Sequence, residues 1–294
     1  MTITLLDGGM GQELLARTGA TPTGLWSTQA MIDHPDAVRS IHDDYFAAGA
    51  DIATTNTYAI HRDRLDPAGI GDRFGALHQQ AVGLATAAKS AAGNGQVAGS
   101  LGPLGWSYMA ELAPPSEDAA PLYAEIVALH DADVDLFILE TMCSVDQARG
   151  GLMGCADTDK PVWLALSVDD DDGTRLRSGE PLTDALPLLK DFDVAALLIN
   201  CSTPEAVSQG LPLIADANVA FGAYANGFSS ISDSFKTAGA TTDRLEKRRD
   251  LGPTEYADFA DQWVEQGASI VGGCCEVGPA HIAEMATRLG KRKT

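Results

Sequence analysis

Two adjacent cysteines follow a short apolar run near the end of the chain, in the sequence "ASIVGGCCEVGP" at positions 268–279. Neighbouring residues of a regular strand point to opposite faces, so Cys274 and Cys275 cannot both face the core from a strand. Two glycines precede the pair and a proline follows it, which is typical of a turn. The sequence therefore predicts a turn that brings both sulfur atoms together.

A third cysteine, Cys201, follows the apolar run at 194–200. Three thiolates with one open coordination position are typical of a catalytic zinc site, where the fourth position is free for a substrate. Zinc can remove the proton of an incoming thiol, whose pKa is ordinarily about 8.5, and hold it as a reactive thiolate. We therefore predict that Cys201, Cys274 and Cys275 bind Zn²⁺, whereas Cys143 and Cys155 are packing residues.

For these cysteines to meet, the elements that precede them must be neighbours in space. Eight short runs are almost continuously apolar, which is typical of parallel strands covered on both faces. The predicted strands are 3–7, 51–55, 96–100, 135–140, 161–168, 194–200, 218–224 and 268–272. Apolar residues recur at helical spacing between them, as they do after Pro35, Pro181 and Pro279 and from Tyr256 to Val264. The pattern predicts an α/β fold, a single (β/α)8 barrel that spans residues 1–294.

Polar side chains follow the predicted strands at the barrel end where such enzymes carry their active sites. Glu140 ends a largely apolar run, and a carboxylate there is costly to bury unless a cation or hydrogen-bond donors meet it. The long connections at 101–118 and 225–253 are predicted to cover the substrate. The predicted substrate-binding side chains are those of Asp7, Glu13, Asn56, Tyr58, Glu140, Ser167, Asn200 and Asn226.

The charge balance excludes one class of partner. The chain carries 41 acidic and 20 basic residues, for a formal net charge of −21, whereas nucleic-acid binding needs clustered Lys and Arg. No apolar stretch approaches the length of a membrane span, and no secretory signal precedes the first strand. Five cysteines, an odd number, indicate reduced thiols and a cytoplasmic protein.

Several motifs resemble those of the homocysteine S-methyltransferase family, in the same order and over nearly the whole chain. These motifs are "LLDGGMGQEL", "TNTY", "GSLGP", "ET", "NC" and "GGCC…P.HI". The resemblance implies a zinc-dependent barrel that moves a methyl group from a sulfonium donor, S-methylmethionine or S-adenosylmethionine, to homocysteine and yields methionine. It also implies that the three cysteines bind zinc. The amino acid end of homocysteine would be held by Asp7, Glu140 and the amides of Gly8 and Gly9 in the "DGG" turn. The "EVGP" that follows the cysteine pair departs from the family pattern.

Other functions remain open at this level. Betaine or another onium compound is an alternative methyl donor, a selenol is an alternative acceptor, and a zinc-binding barrel without catalysis fits the same cysteines. An aldolase-type barrel that uses Glu140 and a lysine is disfavoured, because no lysine lies at the end of a predicted strand. The sequence leaves open both the donor and whether the chain forms a homo-oligomer.

Overall fold

The computed structural model describes residues 2–21, 23–232, 235, 241 and 244–291. Its strands are β1 (Thr4–Leu5), β2 (Ile52–Thr54), β3 (Gln96–Leu101), β4 (Leu136–Met142), β5 (Val162–Leu166), β6 (Ala196–Asn200), β7 (Ala220–Tyr224) and β8 (Ile270–Val271). They form one sheet in the order β1-β8-β7-β6-β5-β4-β3-β2. A parallel bridge between Leu6 and Ile52 closes the sheet into a barrel. The predicted (β/α)8 barrel is confirmed.

Helices follow the strands and cover the outside of the barrel. They are α1 (Met10–Thr18), α2 (Ser27–Asp33), α3 (Pro35–Ala48), α4 (Arg62–Leu65), α5 (Phe74–Ala92), α6 (Ser116–His130), α7 (Val145–Gly154), α8 (Leu188–Asp191), α9 (Pro204–Ile214), α10 (Pro253–Glu265) and α11 (Pro279–Arg288). Proline occupies the first turn of α3, α9, α10 and α11, where its missing N–H costs nothing. No helix in the described ranges is long and apolar enough to cross a membrane.

The strands are buried on both faces. In β4, Leu136 and Ile138 pack inside the barrel with Leu198 of β6, while Phe137 and Leu139 pack into the cluster that includes helix residues. This double burial accounts for the continuous apolar runs in the sequence.

The helix predicted after Pro181 is wrong as a continuous element. A 3₁₀ turn at Leu182–Ala185 is followed by the short α8, with Pro187 between them. Proline has no N–H to donate and its ring clashes with the carbonyl four residues earlier, so Pro187 disfavours one helix through this position. Leu182, Ala185 and Leu188 are buried, while Leu186 and Leu189 are half-buried and pack against the core.

The two long connections lie at the carboxyl end of the barrel. The connection at 101–118 contains a 3₁₀ turn at Ala110–Leu112 and enters α6. In the connection at 225–253, Phe228 and Ile231 are buried, whereas 233–234, 236–240 and 242–243 lie outside the described residues. The predicted covering role of this second connection therefore stays a prediction.

Candidate active site

A cavity of about 110 Å³ opens at the carboxyl ends of the strands. It receives residues from β1, β2, β3, β4, β6, β7 and β8 or from the turns that follow them. Of the residues predicted to form the site, those that line it are Asp7, Gly8, Gly9, Asn56, Tyr58, Glu140, Cys201, Cys274 and Cys275. Most of the predicted residues therefore lie at one cavity, and their role as substrate or metal contacts stays a prediction.

The three cysteines converge on one side of the cavity. Their Sγ atoms all lie within 4.8 Å of one another. A tetrahedral site with metal–sulfur bonds of about 2.3 Å places its sulfur atoms roughly 3.8 Å apart, so three reduced cysteines grouped this closely are within reach of one ion. Among the described residues, this is the one group of three or more His, Cys, Asp or Glu side chains close enough to hold an ion.

The oxidation state of these sulfurs decides whether they can bind a metal. Cys201 and Cys274 are joined as a disulfide, whereas Cys275 is free. Burial, with added repulsion from Glu276 and Glu140, raises the pKa of Cys275 to about 12. Without a metal this thiol is protonated and a poor nucleophile. Metal binding requires the reduced cysteines, with the metal taking the place of the protons.

Two glycine turns hold the cysteine pair in place. Gly9 donates its N–H to Val277 O at 2.9 Å, and Gly273 donates to Asp7 O at 2.9 Å. A Cβ on Gly9 would lie 2.7 Å from Cys274 O, and one on Gly8 would collide with Val277 O. Glycine is therefore needed at both positions, because a side chain would prevent the turn after β1 from approaching the turn that carries the cysteines. The amide of Gly9 is already used within the protein, so of the predicted "DGG" amides this one is not free to bind a substrate.

Two buried carboxylates line the same cavity. Asp7 accepts hydrogen bonds from Thr54 N at 2.8 Å and Thr54 Oγ1 at 2.9 Å. Glu140 accepts one from Tyr224 Oη at 3.0 Å and a short one from Ser100 Oγ. Burial raises the pKa of Asp7 to about 8, and Glu140 adds to the shift. Burial also raises the pKa of Glu140.

These carboxylates have no basic neighbour on the cavity wall. No lysine or arginine is among the described residues that line it. Two buried acids without a counter-ion are costly to ionise. The arrangement is therefore suited to a ligand that brings its own positive charge.

Strained backbone concentrates around the cavity. Among the described residues other than glycine, six have a positive φ. Such a conformation costs roughly 1–3 kcal/mol and persists only where the surroundings hold it. Five of them lie in or next to the site: Trp26 (50°), Tyr108 (66°), Thr141 (61°), Cys201 (48°) and Glu276 (65°).

At Thr141 the strain accompanies a register shift in β4. Such a bulge re-aims a side chain. Glu140 keeps the inward alternation of Leu136 and Ile138, and Thr141 beside it also lines the cavity.

The cavity also has an aromatic wall, of which only Tyr58 was predicted from the sequence. Trp26 and Tyr58 stack with ring centroids 6.0 Å apart, and Tyr108 and Tyr224 also line the cavity. Trp26 precedes α2 and Tyr108 lies within the connection at 101–118, so neither ends a strand. Tyr108 could have been found by following the prediction that this connection covers the substrate.

Four predicted substrate-binding residues do not line the cavity. Glu13 pairs with Arg17 at 3.1 Å on the exposed side of α1. Asn200 accepts a hydrogen bond from Thr141 N at 3.0 Å and so supports the bulge in β4. Ser167 donates to Cys201 O at 3.4 Å. Asn226 accepts from Phe228 N at 3.1 Å within its own turn. The last three residues make hydrogen bonds to backbone groups around the cavity and do not line it.

The sequence as a whole matches a known family. The family model described as homocysteine S-methyltransferase matches residues 4–289. The chain belongs to this family. Homocysteine S-methyltransferase from Escherichia coli strain K12 is 30% identical over 316 residues, which cover 97% of this chain and 95% of that protein. Selenocysteine methyltransferase from Astragalus bisulcatus is 27% identical and covers 95% of this chain and 90% of its own length.

Solved structures of a family member share the fold. The homocysteine methyltransferase MmuM from Escherichia coli, in its metallated form, superposes with a TM-score of 0.82 at 28% identity, covering 98% of this chain and 96% of that one. The oxidized form of MmuM gives the same TM-score at 29% identity and covers 97% and 96%. That relative has therefore been solved both with a metal and oxidized. In the present chain, three clustered cysteines are close enough to hold an ion, and two of them are joined as a disulfide.

Proposed function

We propose that this enzyme transfers a methyl group from a small sulfonium donor, S-methylmethionine or S-adenosylmethionine, to the sulfur of homocysteine, and so takes part in methionine biosynthesis. The observation that carries the proposal is the pairing, in one cavity, of three converging thiols with two buried carboxylates that lack a counter-ion. Homocysteine has a thiol at one end and an ammonium group at the other. Family membership supports the same acceptor.

The carboxylates orient the acceptor. Asp7 and Glu140 would bind its ammonium group. This positive charge would favour the ionised carboxylates, which burial otherwise disfavours. The first turn of α1 borders the cavity through Met10 and Gly11. Amides of a first helical turn have no partner within the helix, and they favour an anion such as the substrate carboxylate. With the amino acid end held there, the sulfur points toward the cysteines.

The cysteines hold the reacting sulfur. Cys201, Cys274 and Cys275 would bind a metal ion, which we propose to be Zn²⁺, and this ion would keep the incoming homocysteine sulfur ionised. The cysteines occupy three positions and leave one for the substrate. Their fixed turns keep the sulfur in place for displacement on the methyl carbon, and alignment of the reacting groups supplies much of the rate.

The aromatic wall suits the donor. Trp26, Tyr58 and Tyr108 present ring surfaces to the cavity, and a cation over an aromatic face is attracted to it. A sulfonium carries its positive charge next to the methyl group that leaves. The same rings would accept betaine, so charge alone does not choose between onium donors. A selenol acceptor is a second candidate, because one relative is a selenocysteine methyltransferase.

A donor screen tests this function. Purified, reduced, zinc-loaded protein is incubated with homocysteine and, in turn, with S-methylmethionine, S-adenosylmethionine or betaine, and methionine is measured. We expect methionine with at least one sulfonium donor and less with betaine. In a parallel series, selenocysteine replaces homocysteine, and the methylated selenol is measured in place of methionine. Absence of methionine with every donor, from protein that contains the metal, would exclude the proposed reaction and favour a zinc-binding barrel without catalysis.

Homocysteine binding is expected to release protons from two groups. The thiol loses one when it enters the metal shell. Asp7, with a pKa of about 8 when empty, is mostly protonated at pH 7 and loses its proton when the ammonium group arrives. Calorimetry in buffers of different ionisation enthalpy should therefore give about two protons at pH 7 for the wild type and about one for Asp7→Asn. Above pH 8 the Asp7 carboxyl is already mostly ionised in the free enzyme. The difference in proton release between the wild type and Asp7→Asn therefore becomes smaller. Equal release at pH 7 would rule out this role of Asp7.

A further inference from the structure

A buried ion pair lies outside the cavity, behind Cys201. Arg177 Nη2 is 2.8 Å from Asp170 Oδ1, and Arg177 Nη1 is 3.2 Å from Asp170 Oδ2. Their side chains are 4% and 9% exposed, and no other ion pair between described residues has both partners below a tenth. Taking two charges out of water costs several kcal/mol that their attraction often fails to repay. A pair kept in such a position therefore calls for a role besides stability.

Arg177 reaches two residues of the site. Its Nη2 donates to Cys201 O at 3.2 Å, and its guanidinium lies 4.8 Å from the ring centroid of Tyr108. Its Nε donates to Ser167 Oγ, which in turn donates to Cys201 O. Cys201 has a φ of 48°, a conformation that must be held by its surroundings. Arg177 supplies part of that restraint through the Cys201 carbonyl.

Asp170 fixes the connections on either side. Its Oδ1 accepts from Thr203 N at 3.0 Å, where the chain leaves Cys201 and enters α9. Its Oδ2 accepts from Ile231 N at 2.8 Å, in the connection after β7. Through Arg177 and Asp170, the connections after β3, β6 and β7 are thus tied to one ion pair.

We propose that Arg177 and Asp170 form a positioning pair, which sets the geometry of the metal ligand Cys201 and thereby the affinity of the site for its metal. Neither residue lines the cavity, so both act through others. The inference rests on the proposed metal centre. Partners that orient a metal ligand typically change metal affinity by about 10- to 100-fold when replaced.

Two variants of Arg177 test the proposal. Arg177→Lys keeps the charge but cannot make the forked contacts with Asp170, Ser167 and Cys201 O, and Arg177→Gln also removes the charge. Reduced proteins are titrated with Zn²⁺ in competition with a chelator. We expect the affinity for Zn²⁺ to fall by about tenfold or more in Arg177→Lys, and further in Arg177→Gln. The control is Arg62→Gln, which breaks an exposed pair with Glu125 and should leave the affinity unchanged.

Cobalt spectra separate positioning from general loss of stability. Co²⁺ bound to the three cysteines gives thiolate-to-metal absorption, and we expect its energy or intensity to change in Arg177→Lys while the protein remains folded by circular dichroism. If Arg177→Gln fails to fold, the Zn²⁺ affinities and cobalt spectra of Arg177→Lys and Asp170→Asn test the proposal instead. Folded variants with wild-type Zn²⁺ affinity and an unchanged cobalt spectrum would overturn the proposal. A wild type that binds no metal would instead refute the metal centre itself.

Discussion

Replacement of Cys201, Cys274 or Cys275 by alanine is expected to remove the metal and to lower homocysteine methylation by about a thousandfold or more. A catalytic metal contributes several kcal/mol, and each ~1.4 kcal/mol is tenfold in rate. Without the metal the homocysteine thiol stays mostly protonated at pH 7, since its pKa is that of an ordinary thiol. Metal content by elemental analysis and methionine formation should fall together, because both depend on the same three sulfurs.

Cys155→Ala is the matched control for these variants. Cys155 is a buried free cysteine that follows α7 and lies outside the cavity. We expect this variant to keep its metal and most of its activity. Full metal occupancy in the Cys274→Ala Cys275→Ala double variant would show that the metal binds elsewhere.

Glu140→Gln is expected to weaken homocysteine binding by about 1.5–3 kcal/mol, the usual contribution of a charged hydrogen bond. This corresponds to roughly 10- to 150-fold in the dissociation constant. The amide keeps the shape of the side chain and its contact with Tyr224 Oη, but it removes the charge that would meet the ammonium group. Metal content should not change, since Glu140 is not one of the clustered ligands. Calorimetric titration with homocysteine measures the loss.

Two comparisons isolate the charge effect. A thiol that lacks the amino group should bind the wild type poorly and lose little further in Glu140→Gln, because the contact is absent in both cases. Glu125→Gln, at an exposed ion pair with Arg62, should bind homocysteine like the wild type. Wild-type affinity in Glu140→Gln, or loss of its metal, would show that Glu140 has another role.

The barrel could be predicted because burial on both faces leaves a continuous apolar run for each strand. Leu136 to Leu139 is such a run, and its residues divide between the interior and the helix layer. The convergence of the cysteines could be predicted because Cys201 follows β6 directly and Cys274 and Cys275 come three and four residues after β8. Parallel strands end on the same side of the barrel, so position in sequence is enough to bring them together.

Side-chain direction could not be predicted in the same way. Asn200 ends β6 and looked like a substrate contact, yet it points to the bulge at Thr141 and supplies the partner of its N–H. The bulge itself depends on pairing between β4 and β5, which leaves no local signal. Trp26 and Arg177 reach the site from connections, so their placement follows from tertiary contacts that no periodic pattern records.

The coordination shell of the metal tests the central claim most directly. X-ray absorption at the zinc edge of the reduced, zinc-loaded protein counts the sulfur ligands before and after homocysteine is added. We expect three sulfur atoms and one lighter atom in the free enzyme, and four sulfur atoms once homocysteine is bound. A shell that already contains four protein ligands, or one that homocysteine leaves unchanged, would contradict the account.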